Sequence, residues 1–186
     1  MHEVKQILKN LITLENLVVM SPSDIINEIA SNQYNKSNRH IKERNVFVKL
    51  PVVIKDILLL SDFDTELNMS GILGFLENSS GLFLSETIDT LERIGAYEDM
   101  EVLRNISIIL NRYGVSTQTL RNNVNKENLY DITNFSNTHG AKYNEMADKI
   151  VEEAEKLYVY SYDRNIFDNL IIHIEKNKKQ LVESML

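Results

Sequence analysis

Asp62, Asp64 and Glu66 stand in the spacing D-x-D-x-E, a compact set of carboxylates of the kind that could hold a cation. A helix–loop–helix calcium loop needs glycine at its sixth position and glutamate at its twelfth. Here Leu67 occupies the sixth position and no glutamate stands at the twelfth. The three acids therefore read as a helix face, with Glu66 placed to hydrogen-bond the turn that follows. The histidines, His2, His40, His139 and His173, share no metal-ligand spacing. His173 sits among Ile171, Ile172 and Ile174 and is expected as a partly buried helix residue, not a base. Gly71 and Gly74 lack both the lysine of a phosphate loop and the third glycine of a dinucleotide site. No G-x-S-x-G elbow occurs, so Ser79-Ser80-Gly81 reads as a turn. The chain has no cysteine, which removes disulfides, thiolate metal sites and cysteine nucleophiles together. The expectation is a non-enzymatic protein with no catalytic residue, no metal site and no cofactor.

The remaining chemistry is electrostatic. Glu86, Asp89 and Glu92 recur at i, i+3 and i+6, so on a helix they rise along one flank by about 4.5 Å per step. A duplex strand presents a charge about every 3.4 Å of axis, so such a row can imitate part of a phosphate track. Glu98, Asp99 and Glu101 add negative charge at the start of the next helix. These six acids are the candidate partner-binding residues. Acids in a first turn also stabilise the helix dipole, and charged helix faces are commonly just solvated. Arg93 and Arg104 dilute the row.

The formal net charge of -7 argues against direct nucleic-acid binding, which needs a basic surface. Its distribution is uneven. Residues 1–60 carry eight bases and six acids, residues 61–115 three bases and ten acids, and residues 116–186 nine bases and eleven acids. The acidity is concentrated in the middle of the chain. No apolar run approaches the ~20 residues of a membrane helix, and Glu3, Lys5 and Lys9 break any signal-peptide pattern. A cytoplasmic location follows as the expectation.

Helices must position these groups. Val4, Ile7, Leu8, Leu11 and Val18 predict one amphipathic helix over residues 3–19. Ser21-Pro22-Ser23-Asp24 predicts the capped start of a second, carrying Ile25, Ile26 and Ile29. Residues 31–40 are polar and nonperiodic, a loop. Val46 to Ile54 is β-branched enough for a strand, but Leu50, Val53, Ile54, Ile57 and Leu58 favour a helix from about Pro51 to Asn68. Ser70 can cap a short helix through Glu77. A further helix runs from about Leu84 to Ile94, with Leu84, Ile88, Leu91 and Ile94 inward and Gly95 just past its end. The next runs from about Tyr97 to Tyr113, burying Met100, Leu103, Ile106, Ile109 and Leu110, and the two form an αα-hairpin. Ser116 to Asn144, with scattered Leu120, Leu129, Ile132 and Phe135, predicts one or two short helices in a long surface excursion. Met146, Ile150, Ala154 and Leu157 mark one more helix. Ile166, Phe167, Leu170, Ile171 and Ile174 mark the last, with Lys176, Lys178 and Lys179 at its end to complement the dipole. Glu145–Lys149 and Glu152–Lys156 are expected as surface pairs. The fold class is all-α, a single-domain helical bundle of roughly seven to nine helices spanning 1–186, with residues 1–45 as N-terminal helices and polar loop.

The central stretch, Glu66 to Ala96, contains Gly71, Gly74, Gly81 and Gly95 and carries a family resemblance. It resembles the bacterial DNA-mimic protein domain family, whose pattern reads approximately E-V-N-N-G-G-F-x-Q-F-F-x-N-S-x-G, followed by a helix ending in I-G-A. Glu66, Asn68, Gly71, Phe75, Asn78, Ser79 and Gly81 match, and Ile94-Gly95-Ala96 follows at the right distance. Met69, Ser70, Ile72 and Gly74 depart from it. The C-terminal helices, including Tyr158 and Asp163, resemble the family's ending, so the similarity covers most of residues 50–180. Read for themselves, Asn68, Asn78, Gly71 and Gly81 set turns and Phe75 is core. The resemblance implies an acidic all-helical module that sequesters a DNA-binding protein by imitating the DNA backbone, and it suggests a homodimer. Two other readings stay open: an immunity or antitoxin-like protein that caps a basic toxin, and a helical enzyme or ligand-binding protein that uses 116–144 as a lid.

Overall fold

The computed structural model describes residues 2–127 and 134–185. Leu129 and Ile132 lie outside the described residues. All regular structure among the described residues is helical, which is the all-α class expected.

Helices α1 (His2–Leu11) and α2 (Leu14–Val19) occupy the stretch for which one continuous helix is expected. The break has a local cause. Thr13 Oγ1 accepts the Asn16 N–H at 3.1 Å and caps a new helix, an alternative that a mid-helix threonine always offers. With the register broken, Val18 is 56% exposed instead of extending the apolar stripe. Helix α3 (Pro22–Asn32) starts as the sequence predicts, with Ser21 Oγ accepting the Asp24 N–H at 3.2 Å and Pro22 in the first turn. A short α4 (Arg44–Phe47) leads through a turn at residues 48–51 to the long α5 (Val52–Glu77), so the ambiguous 46–54 segment is two helix ends joined by a turn and not a strand. Pro51 stands just before α5, where its carbonyl accepts the Lys55 N–H at 3.1 Å and its missing N–H costs nothing.

Helix α5 is two helical segments, as the sequence predicts, but they meet at a glycine and not at a serine cap. It carries a kink at Gly71, whose φ of 68° and ψ of -173° fall in a region that side-chain-bearing residues essentially never enter. A 3-10 turn, Ser79–Phe83, leads into α6 (Leu84–Ile94). Gly95 separates it from α7 (Tyr97–Arg112); the Gly95 and Ala96 N–H groups donate to Glu92 O (3.1 Å) and Leu91 O (2.9 Å), a Schellman ending. Two short helices, α8 (Thr117–Val124) and α9 (Phe135–His139), lie in the polar 116–144 segment. The chain closes with α10 (Asn144–Ala154) and α11 (Ile166–Met185). Eleven α-helices among the described residues exceed the seven to nine expected, because α1–α2 divide and α4, α8 and α9 are short. The lysines expected at the end of the last helix lie in its middle. Lys178 Nζ donates to Met20 O at 2.6 Å, so its charge complements the C-terminus of α2 and not that of its own helix.

The chain divides into two compact units, Met1–Ser61 with Phe167–Leu186, and Asp62–Ile166. In the first, Leu11, Leu17, Ile25, Ile29, Ile54, Ile57 and Leu170 are fully buried. The segment expected as a plain polar loop is partly interior. Gln33 and Asn38 are buried, and Asn38 Nδ2 donates to Asn32 O at 2.8 Å while Asn32 Nδ2 donates to Leu11 O at 2.8 Å. Both amides donate to helix-end carbonyls; Asn32 O also accepts the Asn35 N–H at 3.1 Å. His173 is the partly buried helix residue anticipated, its Nε2 3.2 Å from the fully buried Asp56 carboxylate.

In the second unit α7 packs against both α6 and α10. Phe63, Phe75, Leu76, Leu91, Leu103, Ile106, Met146 and Ile150 fill its core, whereas Ile88 and Ile109, expected inward, are only half-buried. Phe63 and Phe75 meet edge to face at 4.9 Å.

Candidate protein-interaction surface

Two carboxylates of the D-x-D-x-E spacing, Asp64 and Glu66, are committed to structural donors. Asn68 Nδ2 donates to Asp64 O (2.8 Å) and Asp64 Oδ1 (3.0 Å), one turn back on α5. Asp64 Oδ1 also accepts the Tyr158 hydroxyl at 2.5 Å. Glu66 Oε2 accepts Asn78 Nδ2 at 2.6 Å, the bond to the following turn that the sequence suggested. No group of three or more His, Asp or Glu side chains that could hold a metal occurs among the described residues. Gly81 is packed so closely that an added Cβ would lie 2.6 Å from both the Phe75 and Leu76 carbonyl oxygens. Backbone atoms cannot step aside as a flexible side chain can, so this turn needs glycine. Phe75 is 1% exposed and belongs to the core. Glu66, Gly71, Phe75, Asn78, Gly81 and Gly95 thus build the α5–α6–α7 corner, whereas Asn68, expected to set a turn, bonds back along α5.

The six candidate partner-binding acids separate into three kinds. Asp89 and Glu92 are exposed on α6, with Glu86 half-exposed. Glu98 and Glu101 are exposed on α7 but paired, Glu98 with Arg164 and Glu101 with Arg104 at 2.8 Å. Asp99 does not belong to a surface at all. It is 2% exposed, accepts the Tyr158 N–H at 2.7 Å and lies 3.4 Å from Arg164 Nε. Burial pushes its carboxyl above the usual aspartate range, and the Tyr158 N–H and Arg164 guanidinium only partly oppose that. The same burial, reinforced by the Asp64 carboxylate, drives the Tyr158 phenol upward, so it stays a neutral donor. Tyr158 and Arg164 were not legible as partners. Asp64 and Tyr158 are 94 residues apart, and no local spacing encodes such a pair.

Helix α10 contributes acids that the sequence reading treated only as surface pairs. Glu145–Lys149 forms as expected at 2.6 Å, but Lys156 binds Glu153 at 2.5 Å and not Glu152. Asn105 Nδ2 donates to Glu153 Oε1 at 2.9 Å, and Lys149 Nζ to the Tyr113 hydroxyl at 3.2 Å. Later residues of α7 meet earlier residues of α10, so the two helices run antiparallel. The acidic start of α7 therefore adjoins the acidic end of α10. Since α6 and α7 are joined by a two-residue turn, Glu92 lies at that same end. Together α6, α7 and α10 carry ten acids against four bases. Setting aside the acids held by Arg104, Lys156 and Arg164, the exposed ones at this end are Asp89, Glu92, Glu152 and Glu155.

A different cluster ties α5, α8 and α9 together. The His139 side chain is fully buried, its Nε2 2.7 Å from Glu77 Oε1 and its Nδ1 3.2 Å from Asn123 Nδ2. The Asn123 amide as donor and the Glu77 carboxylate as acceptor assign the proton to Nε2. The ring also packs on Phe135 at 4.5 Å. This is a clip inside the 116–144 segment.

The family model described as DMP19-like protein matches residues 48–177. No curated protein and no solved structure matches the chain.

Proposed function

The chain belongs to the DMP19-like protein family, the family of DNA-mimic proteins, and from that premise we propose that it is a protein-binding module for a DNA-binding partner. Its acidic α6–α7–α10 face occupies the Lys- and Arg-lined site that the partner otherwise offers to the DNA backbone. The observation that carries this reading is the antiparallel α7–α10 pairing. It gathers Glu152 and Glu155 beside the acidic start of α7 and so widens the row read on α6 alone. Paired arginines and lysines within the face hold part of the acid in place, and the exposed remainder supplies the attraction. Such contacts steer association and set specificity more than they add affinity, and they weaken with salt.

The test is capture from a host lysate on the immobilised chain, eluted along a salt gradient. The expected result is a basic DNA-binding protein that leaves at moderate salt and that duplex DNA displaces. Reversal of Asp89, Glu92, Glu152 and Glu155 to Lys is expected to abolish capture while leaving the thermal midpoint nearly unchanged. Capture that survives the reversal, or a partner that duplex DNA cannot displace, overturns the reading; the latter outcome favours a toxin-neutralising role.

A further inference from the structure

A cleft of about 460 Å³ opens in the second unit, where α5 bends beside the end of α10. That volume is within the roughly 300–1,000 Å³ of sites that enclose small groups. The kink at Gly71 opens onto it: the first segment of α5 stops at Ser70, and an added Cβ on Gly71 would meet nothing within 4 Å. Ile72 and Ala154 form a buried floor. Val151 (44% exposed) and Tyr160 (58% exposed) offer apolar surface to water at the rim.

The charge at this cleft favours a cation. Glu155 is the one charged residue among the described residues that line it, and it is exposed. Its neighbour Glu153 is held by Lys156 and Asn105, whereas Glu155 bonds no base among the described residues. Two helices also end here, the first segment of α5 at Ser70 and α10 at Ala154, and a helix C-terminus carries partial negative charge. Neither has a base in its last turn. Arg164 donates to Lys156 O just beyond α10, but it pairs with Glu98 and does not line the cleft. The exposed Tyr160 ring adds a face on which a flat cation can stack.

We propose that this cleft seats an arginine side chain supplied by the protein partner, which rests on the acidic-face reading because Glu155 belongs to both. The aliphatic stem lies against Ile72, Val151 and Ala154, and the guanidinium meets the Glu155 carboxylate and the Tyr160 ring. Arginine fits better than lysine, because its planar head is weakly hydrated and stacks on an aromatic face. A row of exposed carboxylates attracts any basic surface. A cleft that fits one arginine discriminates among them, and such anchors carry a large share of an interface's energy.

Nα-acetyl-argininamide is the probe, titrated into the full chain while amide chemical shifts are followed, with the citrulline analogue as its uncharged isostere. The expected result is saturable shifts centred on residues 70–73 and 151–160, with the citrulline analogue weaker by about fivefold. Glu155→Gln is expected to bring the two probes within about twofold of each other. Val151→Trp, at an exposed position, leaves every carboxylate of the acidic face in place. It is expected to fill the cleft, abolish the probe's shifts and weaken capture of the basic protein by about tenfold. Absence of saturable shifts, equal response to both probes, or capture unchanged by Val151→Trp overturns the proposal. If the fourfold acid reversal still abolishes capture in that last case, the acidic-face reading stands without the cleft. Probe binding at the cleft in a chain that captures no basic protein removes the acidic-face reading while supporting the cleft's preference for a guanidinium. Self-association that Val151→Trp abolishes places a second copy of this chain in the cleft and overturns the proposal.

Discussion

Asp99 looks in the sequence like one more acid in a first turn, and in the fold it is the acceptor that anchors the chain entering the Tyr158 turn. Its substitution separates two losses. Asp99→Ala removes the acceptor for the Tyr158 N–H and the charge beside Arg164, and is expected to cost about 2–3 kcal/mol of unfolding free energy. Asp99→Asn keeps an oxygen for the Tyr158 N–H and is expected to cost about 1 kcal/mol. Chemical denaturation at neutral pH checks both values. The pH dependence has a definite sign. Burial raises the folded pKa of Asp99 above the ordinary 3.8, so the folded state binds this proton more tightly than the unfolded chain does. The resulting stability is present below the unfolded value and lost as pH rises through the folded one. Asp99→Asn removes that loss, so over the pH interval just above 3.8 its stability should climb more steeply with pH than the wild type's. An identical slope in the two proteins would contradict the assignment. His139 makes the complementary point: Phe135 lies one turn back on the same helix, but the polar partners that bury the ring, Glu77 and Asn123, come from α5 and α8, which no local spacing reveals.

Among the elements, the α5–α6–α7 corner is where glycine is structurally required, for two different reasons. At Gly71 the reason is conformation. An added Cβ would meet nothing within 4 Å, but the backbone is in a glycine-only region. Gly71→Ala is therefore expected to cost about 1–3 kcal/mol through strain alone. At Gly81 the reason is space, since the Cβ would meet two carbonyl oxygens that close a helix. Gly81→Ala is expected to cost about 2–3 kcal/mol and to shift the Asn78–Glu66 bond. Thermal unfolding measures the two costs, and amide chemical shifts of residues 75–84 should move in the second variant and much less in the first. The elements misread from sequence have equally local causes. Thr13 divided the first helix because its hydroxyl can cap, and α11 continued past its lysines because Leu181 and Met185 bury beyond them.

At the scale of the whole molecule, a net charge of -7 is expected to disfavour contact with the phosphates of duplex DNA. A labelled duplex should show no mobility shift with the chain alone at low salt, where attraction to a basic surface would be strongest. A shift would place a basic binding surface on the protein and remove the decoy reading. No helix among the described residues is long and apolar enough to cross a membrane.

The residue order alone determined the helical class, most helix starts and stops, and the turn-forming glycines, because these follow from periodicity, capping and backbone sterics within a few residues. It also carried the family resemblance, since Glu66, Asn68, Gly71, Phe75, Asn78 and Gly81 lie in one short stretch whose contacts are mostly local. Tertiary structure alone decided which acids face solvent. Asp99 and Glu98 are neighbours in sequence, yet one is interior and the other exposed, because α7 rotates one toward Tyr158 and the other toward water. It also brought Glu152 and Glu155 to the start of α7, about 50 residues away in the chain, through an antiparallel pairing that no local pattern encodes. Electrostatic surfaces and cavities depend on such long-range packing, and so they are settled only when the chain is folded.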